Sequence, residues 1–136
     1  MKNILSFCFL IFLAACSPSS STPATGAGAG SVATGPVFTV TTPNAPASFT
    51  VNNLTNPSMT LQRGQTYTFN VSATGHPFFI STSSGTNTAN AYNTGVTNNN
   101  IQSGTVTFVV PAAAPNTLYY NCANHTSMGG VINITN

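Results

Sequence analysis

The chain has 136 residues with Lys+Arg 2, Asp+Glu 0 and His 2, a formal net charge of +2 at pH 7. Charged residues make up 1% of it, against about 25% in an average globular protein. That excludes a carboxylate dyad, a Ser-His-Asp triad, an acidic Ca²⁺ or Mg²⁺ site and a basic footprint for nucleic acid. Hydrophobic residues still account for 41%, which a disordered chain would lack, and Asn, Thr and Ser supply the polarity. The composition predicts a β-rich domain outside the cytoplasm, and the length predicts one domain.

The first residues read as an address. Met1-Lys2-Asn3 is a short positive segment and Ile4 to Leu13 an apolar run. The run is too short for a spanning helix of about 20 residues and has the length of a secretory signal core. Leu13-Ala14-Ala15-Cys16 resembles a bacterial lipobox, which implies cleavage before Cys16 and a diacylglycerol on its thiol. Two or three acyl chains would anchor the protein firmly. The alternative is an ordinary signal peptide with a chance cysteine. Residues 1–15 are therefore expected to be a lipoprotein signal. Residues 16–35 are expected to be the lipidated Cys16 and a flexible Ser/Pro/Gly/Thr linker. The expected location is the bacterial cell envelope, lipid-anchored and facing the periplasm. Ser17, by analogy with Gram-negative sorting, favours the outer membrane.

Strand signals fill residues 36–136. Val37–Thr41 is β-branched and aromatic. Ser48–Asn52 alternates with Phe49 and Val51 on one face. Met59–Leu61 is a short alternation, with Met59 a core residue, and Arg63-Gly64 is a turn. Thr66–Val71 puts Tyr67, Phe69 and Val71 inward. Phe78–Ile80 follows His76-Pro77, and residues 82–104 are Thr/Asn/Gly/Ser-rich with one short strand near Tyr92 or Val96. Thr105–Val110 stops at Pro111, Leu118–Tyr120 runs on to Cys122, and Val131–Ile134 closes the series. This spacing, without a sustained helical period, predicts an all-β, Greek-key β-sandwich of seven to eight strands.

Cysteine usage points to chemistry. Of Cys8, Cys16 and Cys122, the first would leave with the signal and the second carry lipid, so Cys122 has no partner for a disulfide. A lone thiol in an exported, oxidising compartment is buried or in use. Cys122, His125 and Met128 recur at spacing three, between Tyr119-Tyr120 and Gly129-Gly130. A helix would also align them, but too little room remains for one, so a tight loop between strands fits better. A thiolate, an imidazole and a thioether suit copper. The further imidazole can come only from His76, the other histidine of the chain. Zinc is the alternative metal, and a buried Cys with a core His is the structural alternative.

Gly75-His76 together with Tyr120-x-Cys122-x-x-His125-x-x-Met128-x-Gly130 resembles the cupredoxins, the small blue-copper proteins. The resemblance covers residues 36–136 and is most specific near the C-terminal end. It implies one type 1 copper, with His76, Cys122 and His125 as trigonal ligands and Met128 as the long axial one. One departure concerns the backbone donor to the Cys sulfur. In the family the residue after the first His commonly donates an N–H, but here it is Pro77, which has none. Asn124, two residues after the cysteine, is expected to supply the donor instead.

The expected function is membrane-tethered transfer of single electrons, not enzymatic catalysis, because one copper with no substrate-activating group leaves little else. Two alternatives stand beside it: a periplasmic copper carrier or resistance protein, and a non-redox β-sandwich surface module. The expected partners are redox proteins docking near His125 on an apolar patch that includes Pro77, Ala112–Ala114 and Met128. Docking should be nearly insensitive to salt. The membrane is reached through Cys16, no nucleic acid is bound, and the domain is expected to be a monomer.

Overall fold

Binary alternation decides the strands. In Val37–Thr41 and Thr66–Ser72 every second side chain is buried, Phe38 and Val40 in the first, Tyr67, Phe69 and Val71 in the second. A two-residue period buries one face of a sheet and leaves the Thr and Asn face in water. The computed structural model describes residues 32–136. The segment read as a signal, Cys16 and most of the span read as linker lie outside the described residues.

In chain order the strands are β1 (Val32–Ala33), β2 (Val37–Thr41), β3 (Thr50–Val51), β4 (Leu54–Thr55), β5 (Ser58–Gln62), β6 (Thr66–Ser72) and β7 (Phe78–Ser81). A single 3₁₀ turn at Thr88–Asn90 precedes β8 (Val96–Thr97), β9 (Ser103–Val109), β10 (Thr117–Cys122) and β11 (Gly129–Thr135). One sheet has the order β1-β5-β11-β10-β7 and the other β4-β3-β2-β6-β9-β8. The architecture is an all-β, two-sheet sandwich. Strands of four or more residues are β2, β5, β6, β7, β9, β10 and β11; the other four have two residues each and extend the sheet edges. β5 pairs in parallel with both β1 and β11, and β2 with β6.

Two boundaries differ from the sequence reading. Val32–Ala33, inside the span read as linker, pairs with β5, and Ala33 is buried. The folded unit therefore starts before residue 36; flanking Gly and Thr mask so short a strand in the sequence. The segment Ser48–Asn52 contributes only Thr50–Val51 to a ladder, because Asn52 and Asn53 turn the chain with φ of 49° and 66°.

The core is aromatic and continuous between the sheets. Phe38 and Phe69 from one sheet lie with ring centroids 5.0 Å apart, Phe69 meets Phe78 of the other sheet at 5.4 Å, and Phe78 stacks on Tyr120 at 5.7 Å. Offset and edge packing of this kind adds about 0.5–1.5 kcal/mol per pair beyond area burial. The Tyr120 hydroxyl, also buried, donates to the Pro57 carbonyl at 2.7 Å, and burial pushes its phenol pKa up.

All four residues of β7 are buried, because the Thr/Asn-rich segment covers this edge strand. Asn99 acts there as a surrogate strand. Its Oδ1 accepts from the Ile80 N–H at 2.8 Å, and its Nδ2 donates to the Ile80 carbonyl at 3.0 Å and the Tyr92 carbonyl at 3.1 Å. Such cover removes an open edge that would otherwise invite pairing with another chain.

Arg63 carries the lone ionised side chain of the described strands and loops, and it has no carboxylate to meet. Its guanidinium donates instead to the carbonyls of Ala112 (3.1 Å) and Ala114 (3.0 Å) and to the amide oxygens of Asn116 (2.6 Å) and Asn136 (3.1 Å). It thereby fastens the loop before β10 to the ends of β5 and β11. Replacing Arg63 with Ala should cost about 1–2 kcal/mol, read as a lower urea midpoint. Lys at 63 should recover less than half, since an ammonium cannot reproduce the planar fork. An unchanged midpoint in Arg63→Ala would show that the fork is ornamental.

Candidate metal centre

The pairing of β7 with β10 decides where the ligating residues meet. The two strands are antiparallel, with Cys122 opposite Phe78 and Asn121 opposite Phe79. The end of β10 therefore lies beside the beginning of β7, and His76, two residues before β7, comes to the same sheet end as Cys122. His76 is presented by a tight turn in which its N–H donates to the Ala73 carbonyl at 2.8 Å. Gly75 in that turn has φ +82°, a conformation that glycine adopts without strain. The Gly75 N–H donates to Gln102 Oε1 at 2.6 Å.

The second loop, between β10 and β11, closes on itself. The Cys122 N–H donates to the Met128 carbonyl at 2.9 Å, and the Met128 N–H to the His125 carbonyl at 3.2 Å. Two bonds tie the loops together: the Ala123 N–H to the Pro77 carbonyl at 3.0 Å, and Asn124 Nδ2 to the Gly75 carbonyl at 2.8 Å. Pro77 thus lacks a donor but supplies an acceptor.

Three ligand atoms converge. His76 Nδ1 and His125 Nδ1 are 3.1 Å apart, and Cys122 Sγ lies 3.9 Å from the first and 3.7 Å from the second. Metal–nitrogen bonds of about 2.0 Å and a metal–sulfur bond of about 2.3 Å, all in one plane, require separations of about 3.5 Å between the nitrogens and about 3.7 Å from nitrogen to sulfur. The donor triangle fits that requirement with a small contraction between the imidazoles. Cys122 is fully buried, and both histidines are half-buried. Met128 is buried in the same core cluster as Cys122, and its carbonyl accepts from the Cys122 N–H, so the thioether belongs to a residue fixed at the inner side of the loop. Asn124 donates its N–H to Cys122 Sγ at 3.4 Å.

Asn121 was not singled out by sequence, yet it braces the strand that delivers Cys122. Its Nδ2 donates to Ser81 Oγ at 2.6 Å and the Ser83 carbonyl at 3.0 Å, and its Oδ1 accepts from the Gly85 N–H at 3.2 Å. An Asn inside a strand, between Tyr119-Tyr120 and Cys122, was the available signal.

The apolar patch expected around His125 is not there in the form expected. Ala112–Ala114 precede β10, whereas His125 follows it, and a six-residue strand separates its ends by about 17 Å. Ala112 and Ala114 are held by Arg63 at the far end of the sandwich. Met128 is buried and presents no surface. Closeness in sequence to one end of β10 does not bring a residue near its other end. The exposed apolar residues that do adjoin the ligand loop are those of the 43–47 turn, where the Pro46 carbonyl accepts from Ser127 Oγ at 3.1 Å.

No protein-family model matches the chain, and no curated protein matches it. Among solved structures it is similar to reduced rusticyanin, with a TM-score of 0.48 and 24% identity over 76% of this chain and 83% of that one. Rusticyanin from Thiobacillus ferrooxidans gives 0.47 and 23% over 76% and 80%. Auracyanin A, described as a "blue" copper protein from the green thermophilic photosynthetic bacterium Chloroflexus aurantiacus, gives 0.46 and 17% over 73% and 98%. The case for a metal rests on the donors themselves.

Strand β11 is closely packed at Gly130, directly after the ligand loop. A Cβ there would stand 2.7 Å from the Tyr120 ring and hydroxyl and 2.8 Å from the Pro57 carbonyl oxygen. Gly130→Ala must displace Tyr120 and break its bond to Pro57, and should cost about 2–3 kcal/mol. Denaturation of the metal-free protein reads this directly; a loss below about 0.5 kcal/mol would mean that the ring moves freely.

Proposed function

We propose that this chain is a blue-copper protein that carries single electrons through one type 1 copper. His76, Cys122 and His125 would hold the metal, with Met128 as the weak axial ligand. The observation that carries this reading is the triangle of Cys122 Sγ and two Nδ1 atoms, which has the shape that a three-coordinate metal requires. The donor chemistry narrows the metal: one thiolate, two imidazoles and a thioether form the set associated with copper electron-transfer sites, whereas zinc seldom takes a thioether.

Bound copper would supply a one-electron couple between Cu(I) and Cu(II). The chain's own contribution is to fix the donors. Paired strands and cross-tied loops hold both imidazoles and the sulfur where they would be needed in either oxidation state, so little has to rearrange as charge changes. The Asn124 N–H stabilises negative charge on the sulfur and favours the reduced state. Burial of Cys122 and Met128 keeps water from the soft ligands, and it disfavours a copper carrier, which needs ligands exposed for exchange. In both histidines Nδ1 turns inward, which leaves the far edge of each half-buried ring as the route to a redox partner. The proposal includes attachment to the bacterial envelope through lipidated Cys16, with the copper domain facing the periplasm.

Addition of Cu²⁺ to the purified soluble domain should give stoichiometric binding, intense visible charge transfer from the cysteine and a reversible couple. Cys122→Ser should lose the colour. Tight Cu(I) binding without colour would favour a carrier, and no stoichiometric binding would favour a surface module. A second measurement concerns the sulfur's donor. Asn124→Pro removes that N–H, and the midpoint potential of the copper-loaded variant should fall. A potential unchanged within error would show that this hydrogen bond does not tune the centre.

A further inference from the structure

Both peptide groups that flank Met128 are anchored at both ends. In the first, between Ser127 and Met128, the Met128 N–H donates to the His125 carbonyl at 3.2 Å. The Ser127 carbonyl accepts from Asn56 Nδ2 at 2.8 Å. In the second, between Met128 and Gly129, the Met128 carbonyl accepts from the Cys122 N–H at 2.9 Å. The Gly129 N–H donates to Asn56 Oδ1 at 3.3 Å. The inner bond of each peptide stays within the loop. The outer bond of each goes to the same carboxamide, that of Asn56, 71 residues from Ser127 and 73 from Gly129 in sequence.

Asn56 is itself rigidly placed. It sits where the chain crosses from β4 in one sheet to β5 in the other, with φ 40°, a conformation that Asn and Gly tolerate better than most residues. Its N–H donates to the Phe49 carbonyl at 2.9 Å, and its Oδ1 accepts from the Phe49 N–H at 2.9 Å. The next residue, Pro57, takes the Tyr120 hydroxyl. The carboxamide is thus a fixed post standing on both sheets.

We propose that Asn56 is a positioning residue for Met128. By pinning the two peptide planes around that residue it fixes the direction of the thioether, and with it the strength of the axial bond to copper. Potential and colour would then depend on a residue remote in sequence that touches no ligand side chain. The proposal rests on the copper reading above and adds to it the element that sets the axial ligand.

Asn56→Gly accommodates the backbone conformation and deletes both anchors, together with the bond from the Phe49 N–H. Asn56→Asp keeps the acceptor for the Gly129 N–H and replaces the donor to Ser127 with a carboxylate oxygen that repels that carbonyl. In the metal-free protein, amide hydrogen exchange at Gly129 should quicken about tenfold in Asn56→Gly, as loss of one hydrogen bond implies, with amides of β6 and β9 unchanged. In Asn56→Asp it should stay slow. In the copper-loaded protein, Asn56→Gly should shift the midpoint potential and broaden the charge-transfer band, and in a Met128→Leu background the same change should have no further effect. That non-additivity separates positioning of the thioether from general loosening. An equal shift in both backgrounds would overturn the proposal, as would unchanged Gly129 exchange in a protein that binds copper with colour. Failure of the unsubstituted protein to bind copper would overturn the copper reading together with this one.

Discussion

The antiparallel pairing of β7 with β10 is the constraint on which the site depends. Register places Cys122 opposite Phe78, so the turn that carries His76 and the loop that carries His125 rise from neighbouring strands at one end of a sheet. Slipping the register by one residue would turn Cys122 away from the core and move every donor out of reach. Two features protect that register. Phe78 and Tyr120 lock the strands to the core from within, and Asn99 occupies the open edge of β7 from without. The donors meet because a sheet and its edge cover are correctly assembled, before any metal contributes.

A fold without acids has to satisfy its polar groups by other means, and carboxamides do much of that work. Asn56, Asn99, Asn121 and Asn124 each bridge segments distant in sequence, and each serves at least one backbone group. A carboxamide both donates and accepts, so one side chain can close an N–H and a carbonyl together. Among the described residues no buried side-chain nitrogen or oxygen is left without a partner. Neutrality also shapes encounter. Arg63 stands at the end of the sandwich away from the ligand loop, so among the described residues no charged side chain borders the proposed site, and a redox partner of the kind proposed would meet uncharged contacts such as those of the 43–47 turn.

Much of this was legible in the sequence, and the exceptions share a cause. Alternation in Thr66–Ser72 and Val37–Thr41 is strong, so those strands read directly. The ligand types stand out because so few side chains in the chain can bind a metal. Local pattern fails where meaning comes from tertiary neighbours. Val32–Ala33 is too short to register and becomes a strand only because β5 offers an edge. Asn56 before Pro57 looks like an ordinary turn starter, and nothing nearby reveals that its carboxamide reaches residues 127 and 129. Ala112–Ala114 and His125 both adjoin β10, but strand direction sends them to opposite ends.

The proposed copper role requires the chain to hold two imidazole nitrogens and one thiolate sulfur in a geometry suited to both oxidation states of copper. X-ray absorption at the copper edge, on oxidised and on reduced protein, tests it most directly. One sulfur and two nitrogens are expected in the inner shell in both states, with little change in their distances between them. A shell of nitrogen and oxygen alone, or one whose members change on reduction, would contradict it.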